Sequence, residues 1–212
     1  TRILGRHRGL NGAAARDAAA GLLARVGIAD ARRRLADHPH RLSGGMAQRV
    51  AIAAALAGDP ALLIADEPTT ALDVTTQAQI LVLLERLRQE EGLALLLVTH
   101  DLGVVARLAD RVAVMYAGRI VEEAPTAELF SRPLHPYTKA LLASIPPIDE
   151  EIATLQSIPG TVPPLSDMPV GCRFHPRCPA ATNACRLNPP LLLPVQPDHR
   201  VACFLVSPAG AS

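Results

Sequence analysis

The residues with the greatest chemical reach close an apolar run, Leu62-Leu63-Ile64-Ala65-Asp66-Glu67-Pro68. Aliphatic residues without alternation suit a strand buried on both faces of a parallel sheet, and the proline stops it. Ligands of such sheets bind beyond the carboxyl ends of the strands, so Asp66 and Glu67 would be presented to a substrate. Two carboxylates there suit phosphoryl transfer, in which one holds Mg²⁺ and the other orients or deprotonates the attacking water. A second apolar run, Leu93 to Val98, ends in Thr99, His100 and Asp101. If the two strands are neighbours, the imidazole of His100 stands beside the carboxylates. Taken singly, the acidic pair also fits a solvated turn, and the histidine also fits a structural hydrogen-bonder.

These groups need elements to carry them. Ser43 reads as the N-cap of a helix running through Ala57, with Gly44 and Gly45 in its first turn. Each glycine costs about 1 kcal/mol of helix stability relative to alanine. A bare helix start whose N–H groups can approach a phosphate closely would justify that cost. Asp73 or Thr75 caps a helix over about Val74 to Glu91, with Ile80, Leu83, Leu84 and Leu87 on one face and Gly92 at its end.

Upstream, Gly12 to Val26 and Asp30 to Asp37 read as helices, and Thr1 to Asn11 is polar and basic. His38-Pro39-His40 reads as a loop whose proline points the two imidazoles apart. Downstream come a helix from Leu102 to Ala109 and an antiparallel pair, Arg111 to Tyr116 and Arg119 to Glu122, turning at Ala117-Gly118. Thr126 is expected to cap a helix to Phe130, and His135-Pro136-Tyr137 opens another that ends near Ser144.

Composition bounds what this chain can be. Its 212 residues allow one sizeable domain with an appendage, and 49% hydrophobic residues suffice for a core. With aromatics at 2%, that core is expected to be Ala, Leu, Val and Ile. A net charge of +1, without a basic run interleaved with aromatics, argues against nucleic acid as a partner. The apolar runs fall short of a membrane span, and the reading is a soluble polypeptide that can dock on a membrane protein.

Near Ile145-Pro146 the composition changes. Thirteen of nineteen prolines lie at or after Pro146, so this tail is expected to form little regular structure and to need another support. It holds all four cysteines, Cys172, Cys178, Cys185 and Cys203. In a reducing compartment, four thiolates near one another suit a tetrahedral zinc or a four-iron cluster rather than two disulfides. The spacing lacks Cys-x-x-Cys pairs and does not choose between the metals.

Four segments, in order and spacing, resemble the ATP-binding cassette (ABC) ATPases. Leu42-Ser43-Gly44-Gly45-Met46-Ala47-Gln48-Arg49 resembles the signature motif, and Leu62 to Pro68 the Walker B motif. Thr70-Ala71-Leu72-Asp73 resembles the D-loop, and Val98-Thr99-His100-Asp101 carries the switch histidine. His135-Pro136-Tyr137-Thr138-Lys139-Ala140-Leu141-Leu142, Ile158-Pro159-Gly160 and Gly171-Cys172-Arg173-Phe174-His175-Pro176-Arg177-Cys178-Pro179 resemble the C-terminal extension of dipeptide and oligopeptide importer ATPases. That subfamily includes nickel importers, and its members often have methionine where Met46 stands. The resemblance runs from about His7 to Phe204.

The resemblance implies an α/β fold: a partial ABC-type P-loop nucleotide-binding domain with a parallel sheet core and a helical subdomain, followed by a proline-rich, cysteine-containing extension. The expected divisions are 1–145, comprising a helical subdomain at about 12–58 and a core at about 59–145, and 146–212. It implies that Asp66 binds Mg²⁺ through water, that Glu67 is the general base and that His100 contacts the γ-phosphate of ATP. Asp73 would cross a dimer interface, and Ser43, Gly44, Gly45 and Gln48 would complete the ATP site of a partner subunit. The four cysteines would hold a [4Fe-4S] cluster, with zinc as the alternative.

The implied partners are a second ATPase subunit, identical or not, two transmembrane permease subunits and, indirectly, an extracytoplasmic peptide-binding protein. Their place would be the cytoplasmic face of a bacterial inner membrane. The chain begins with Thr1 and contains no Gly-x-x-x-x-Gly-Lys-Ser/Thr loop, so an N-terminal part with that loop is expected to be missing and this chain alone to be inactive. Two other classes fit less well: a soluble ABC switch protein, which would show long coiled coils or basic arms, and a metal-binding regulatory module on an inactive half-cassette.

Overall fold

A computed structural model describes residues 1–145 and 157–206, which fall into two units divided between Val104 and Val105. The expected boundary at Ile145-Pro146 touches Pro146, outside the described residues.

The first unit opens with helices α1 (Arg2–Arg8), α2 (Gly12–Arg25), α3 (Ala31–Arg34) and α4 (Gly44–Leu56). Strand β1 (Leu62–Asp66), helix α5 (Val74–Glu91) and strand β2 (Ala94–Val98) follow. Helix α6 (Leu102–Leu108) carries the chain into the second unit. Residues spaced three and four apart put Leu22 and Leu23 of α2, Ile52 and Leu56 of α4, and Ile80, Leu84 and Leu87 of α5 into one aliphatic core. Leu4 and Leu63 join it. Gly92 ends α5 in the left-handed conformation that glycine adopts without steric cost.

Strands β1 and β2 pair in parallel, from Leu62 opposite Ala94 to Asp66 opposite Val98. The expectation that both are buried on two faces does not hold. Leu63 and Ala65 are buried, but Leu62, Ile64, Leu96 and Val98 are 47–62% exposed along the other face. The two strands form a sheet of their own among the described residues, and helices α4 and α5 contribute to the core on the side of Leu63.

In the second unit, strands β3 (Arg111–Tyr116) and β4 (Arg119–Pro125) form the expected hairpin. Ala117 and Gly118 both have positive φ, which matches a type I′ turn to the twist of the strands. Helices α7 (Thr126–Ser131), α8 (Pro136–Ala143) and α9 (Asn183–Leu187) and strands β5 (Leu193–Gln196) and β6 (His199–Val201) complete it. The antiparallel order is β3-β4-β6-β5. The proline-rich tail thus forms more regular structure than expected: β6 adds to β4, and Pro194 is tolerated because β5 is an edge strand.

This unit's core adds an aromatic cluster to the expected aliphatic residues, here Val114, Val121, Ala124 and Leu129. Tyr116, Tyr137 and Phe174 meet with ring centroids 4.7–5.4 Å apart, concentrating three of the chain's five Phe and Tyr residues. Arg177 donates to the carbonyls of Ile158 and Pro159 and lies over the Tyr116 ring, fixing the Ile158-Pro159-Gly160 segment. Two local readings also change. Thr126 does not cap α7; its hydroxyl donates to the Ala109 carbonyl at 2.5 Å. His38 and His40 do not point apart, because Pro39–Arg41 forms a 3₁₀ turn that stacks their rings 5.5 Å apart.

Candidate functional site

The parallel register places the ends of β1 and β2 side by side. Glu67 follows Asp66, and its N–H donates to the Val98 carbonyl at 2.8 Å, so the pairing extends one residue past β1. Its φ of 43° turns the chain out of the strand, a left-handed conformation uncommon for glutamate. His100 Nδ1 lies 3.2 Å from Glu67 Oε1, and Thr70 Oγ1 donates to Oε2 at 2.7 Å. The Thr70 and His100 hydrogen bonds lower the Glu67 pKa, which keeps it a carboxylate. Asp66, Glu67 and His100 are open to solvent. Asp101 faces the other way in function: its Oδ1 accepts from the N–H groups of Gly103 and Val104 and caps α6.

A second group forms where α4 meets the turn before α5. Ser43 caps α4 by accepting from the Met46 N–H at 3.4 Å, and Gly44 is exposed. Asp73 caps α5, accepting from the Thr76 N–H at 2.9 Å and from Thr76 Oγ1 at 2.6 Å, bonds that lower its pKa. A β-carbon on Gly44 would lie 3.2 Å from Leu72 Cδ2, and one on Gly45 only 2.4 Å from Thr76 Cγ2. Both glycines therefore abut the segment Leu72 to Thr76. Gln48 stands one turn along α4, half-buried.

The four cysteines lie in the second unit and line one pocket, together with His135, Phe174 and His175. All four are free thiols. Burial raises the pKa of Cys172, Cys178 and Cys203, opposed in part by backbone hydrogen bonds to each sulfur. Gly171 makes the close approach that brings Cys172 to Cys185: the Cys172 N–H donates to the Cys185 carbonyl at 2.8 Å, and a β-carbon on Gly171 would lie 2.2 Å from that oxygen. Among the described residues, no three His, Cys, Asp or Glu side chains are drawn together tightly enough to hold one metal ion. The sulfurs as placed thus do not fit a single zinc, which needs each at about 2.3 Å.

Behind that pocket is a buried polar knot that sequence reasoning missed. Glu122 on β4 accepts from the Leu134 N–H at 2.7 Å, the His135 N–H at 3.0 Å and His199 Nε2 at 2.8 Å. Glu122, His135 and His199 are fully buried or nearly so. Burial pushes the His135 pKa down to about 4, opposed by the Glu122 charge, and its neutral Nδ1 accepts from the Tyr137 N–H. Thr70 and Thr76 were also missed, although each stands three residues after the acid it serves, a spacing visible in Glu67-Pro68-Thr69-Thr70 and Asp73-Val74-Thr75-Thr76.

Residues 3–70 match the ABC transporter family, and residues 121–185 match the oligopeptide/dipeptide transporter C-terminal region. The oligopeptide transport ATP-binding protein AppD of Bacillus subtilis is 53% identical over 211 residues, all of this chain and 64% of AppD. A peptide import ATP-binding protein of Brucella melitensis is 54% identical over 204 residues, 93% of this chain and 60% of that protein. The chain therefore spans somewhat under two thirds of the length of these relatives. Among solved structures, the ADP- and phosphate-bound dimer of the cassette MJ0796 aligns with a TM-score of 0.50 at 36% identity, covering 58% of this chain and 53% of that one. CbiO1 of Clostridium perfringens, part of an ABC transporter complex, aligns at 0.51 and 32% identity, covering 61% and 51%. Among the described residues, no helix is long and apolar enough to cross a membrane. By sequence and by fold, the chain carries part of an ABC transporter ATP-binding domain together with the C-terminal region of the oligopeptide and dipeptide transporters.

Proposed function

We propose that this chain is part of an ATP-hydrolysing subunit that energises import of di- or oligopeptides across a bacterial inner membrane. The observation that carries the reading is the hydrogen-bonded Glu67–His100 pair at the tips of adjacent parallel strands. Thr70 and His100 hold one carboxylate oxygen each, which fixes the plane of the Glu67 carboxyl toward an attacking water. A carboxylate with a lowered pKa is a weak base in the open state. Its basicity rises when bound nucleotide excludes water and sets a negative γ-phosphate beside it.

Asp66, one residue back on the strand, would hold Mg²⁺, which would neutralise charge on the phosphates, and His100 reaches the γ-phosphate. Ser43, Gly44, Gly45 and Gln48 complete the ATP site of a second ATPase subunit, while Asp73 crosses between the two. The nucleotide-bound dimer of MJ0796, a cassette of related sequence, supports this arrangement. Two permease subunits convert closure and reopening into transport, with an extracytoplasmic binding protein delivering the peptide. The peptide import names of the relatives support peptide over nickel as cargo. The subunit sits on the cytoplasmic face of the membrane, with residues 12–57 as the docking region. The 212-residue chain by itself lacks a phosphate loop and is expected not to turn over ATP.

In the C-terminal unit, Cys172, Cys178, Cys185 and Cys203 would hold a [4Fe-4S] cluster in preference to the zinc alternative, which their placement does not fit. Their shared pocket supports this reading, because a cluster gives each cysteine its own iron and spreads the sulfurs wider than one ion does. Iron, sulfide and zinc analysis after anaerobic purification decides it, and a folded, metal-free protein would remove both. For transport, a protein of the relatives' length is reconstituted with its permeases in liposomes. ATP-driven peptide uptake that Glu67→Gln abolishes is the expected result; uptake indifferent to that substitution would refute the proposal.

A further inference from the structure

We propose that Thr76 locks the start of α4 to the Asp73 turn, and that Gly45 is glycine because Thr76 fills the place of its β-carbon. The inference rests on the reading that Gly45 and Asp73 belong to the nucleotide site. Three contacts of one small residue carry it. The Thr76 N–H and Oγ1 both donate to the Asp73 carboxylate, at 2.9 and 2.6 Å, and its methyl occupies the space over Gly45, where a β-carbon would come within 2.4 Å. Thr76 cannot turn its methyl away cheaply, because rotating about χ1 also withdraws the hydroxyl from Asp73. An added methyl at Gly45 would thus push on the Asp73 cap rather than into open space. Gly44, whose β-carbon would lie 3.2 Å from Leu72 Cδ2, packs on the same segment one residue earlier. The signature turn and the aspartate turn therefore move as one body, and displacement of either is passed to the other.

This reading differs from one in which Gly45 serves only the close approach of a phosphate, and a double-mutant experiment separates them. In a protein of the relatives' length, Gly45→Ala, Thr76→Ser and the double variant are compared for kcat and KM. Amide hydrogen exchange is followed at Thr76, whose N–H reports the Asp73 cap. Serine keeps the hydroxyl and removes the methyl. Gly45→Ala alone is expected to lower kcat at least about tenfold and to speed exchange at Thr76; Thr76→Ser should restore both in the Gly45→Ala background to within about threefold of Thr76→Ser alone. A double variant as impaired as Gly45→Ala in both readouts, or a Gly45→Ala protein with normal exchange at Thr76, would overturn the proposal. The exchange readout needs no turnover. Restored protection in a protein whose Glu67→Gln variant still hydrolyses ATP would leave this coupling standing while the site reading fell.

Discussion

The two units hold their polar groups in opposite ways. In the first, Glu67, His100 and Asp73 are exposed, and the partners of both acids include threonines three residues along the chain. In the second, Glu122 and His199 are buried and joined across 77 positions of sequence, and Glu122 also grips the backbone that opens α8. The first arrangement suits groups that meet a ligand, since short local bonds orient them without enclosing them. The second suits groups that fix a fold, because a buried polar group is tolerable only when its partners are in place. Removing an acid should therefore cost chemistry in one unit and stability in the other.

The largest contrast is expected from Glu122→Ala, which strands three donors, those of His135 and His199 buried and that of Leu134 half-buried, and should destabilise the second unit by about 3–5 kcal/mol. Urea unfolding of the 212-residue chain checks it, with loss confined to the transition of the unit that contains Tyr116 and Tyr137. Gly171→Ala should follow, at about 1–3 kcal/mol, because the β-carbon meets the immobile Cys185 carbonyl. If the cysteines hold a cluster, its iron content falls with that variant, and metal analysis beside the same unfolding curve reads both. The smallest effect belongs to the exposed site. The Thr70 hydroxyl helps hold the Glu67 pKa down, so in a protein of the relatives' length Thr70→Val should raise it and move the acid limb of the pH–turnover profile to higher pH. A profile unmoved by Thr70→Val would place that bond outside the catalytic geometry.

The contrast also explains what could be read in the residues alone. Helix α5 followed from Ile80, Leu83, Leu84 and Leu87, and the meeting of Glu67 with His100 followed from two apolar runs that both end in polar residues. These signals are local and periodic. A continuous apolar run, however, does not distinguish a strand covered on both faces from one with Leu62 and Ile64 exposed, since alternation is what would mark the difference. The Glu122 knot and the pairing of β6 with β4 join residues nearly eighty positions apart, and no short-range pattern announces them. Proline content misled for a related reason: Pro194 is compatible with a strand only at a sheet edge, which is a property of the assembled sheet.

In the proposed function, Glu67 is the group that activates water. In a protein of the relatives' length, Glu67→Gln keeps the side chain's shape and its Thr70 contact but removes the base. Single-turnover measurement with radiolabelled ATP should show nucleotide bound, a long-lived closed dimer by size exclusion, and phosphate release slowed at least about a hundredfold. Phosphate release at the rate of the unsubstituted protein would contradict the assignment of Glu67 and, with it, the role given to the two strand tips.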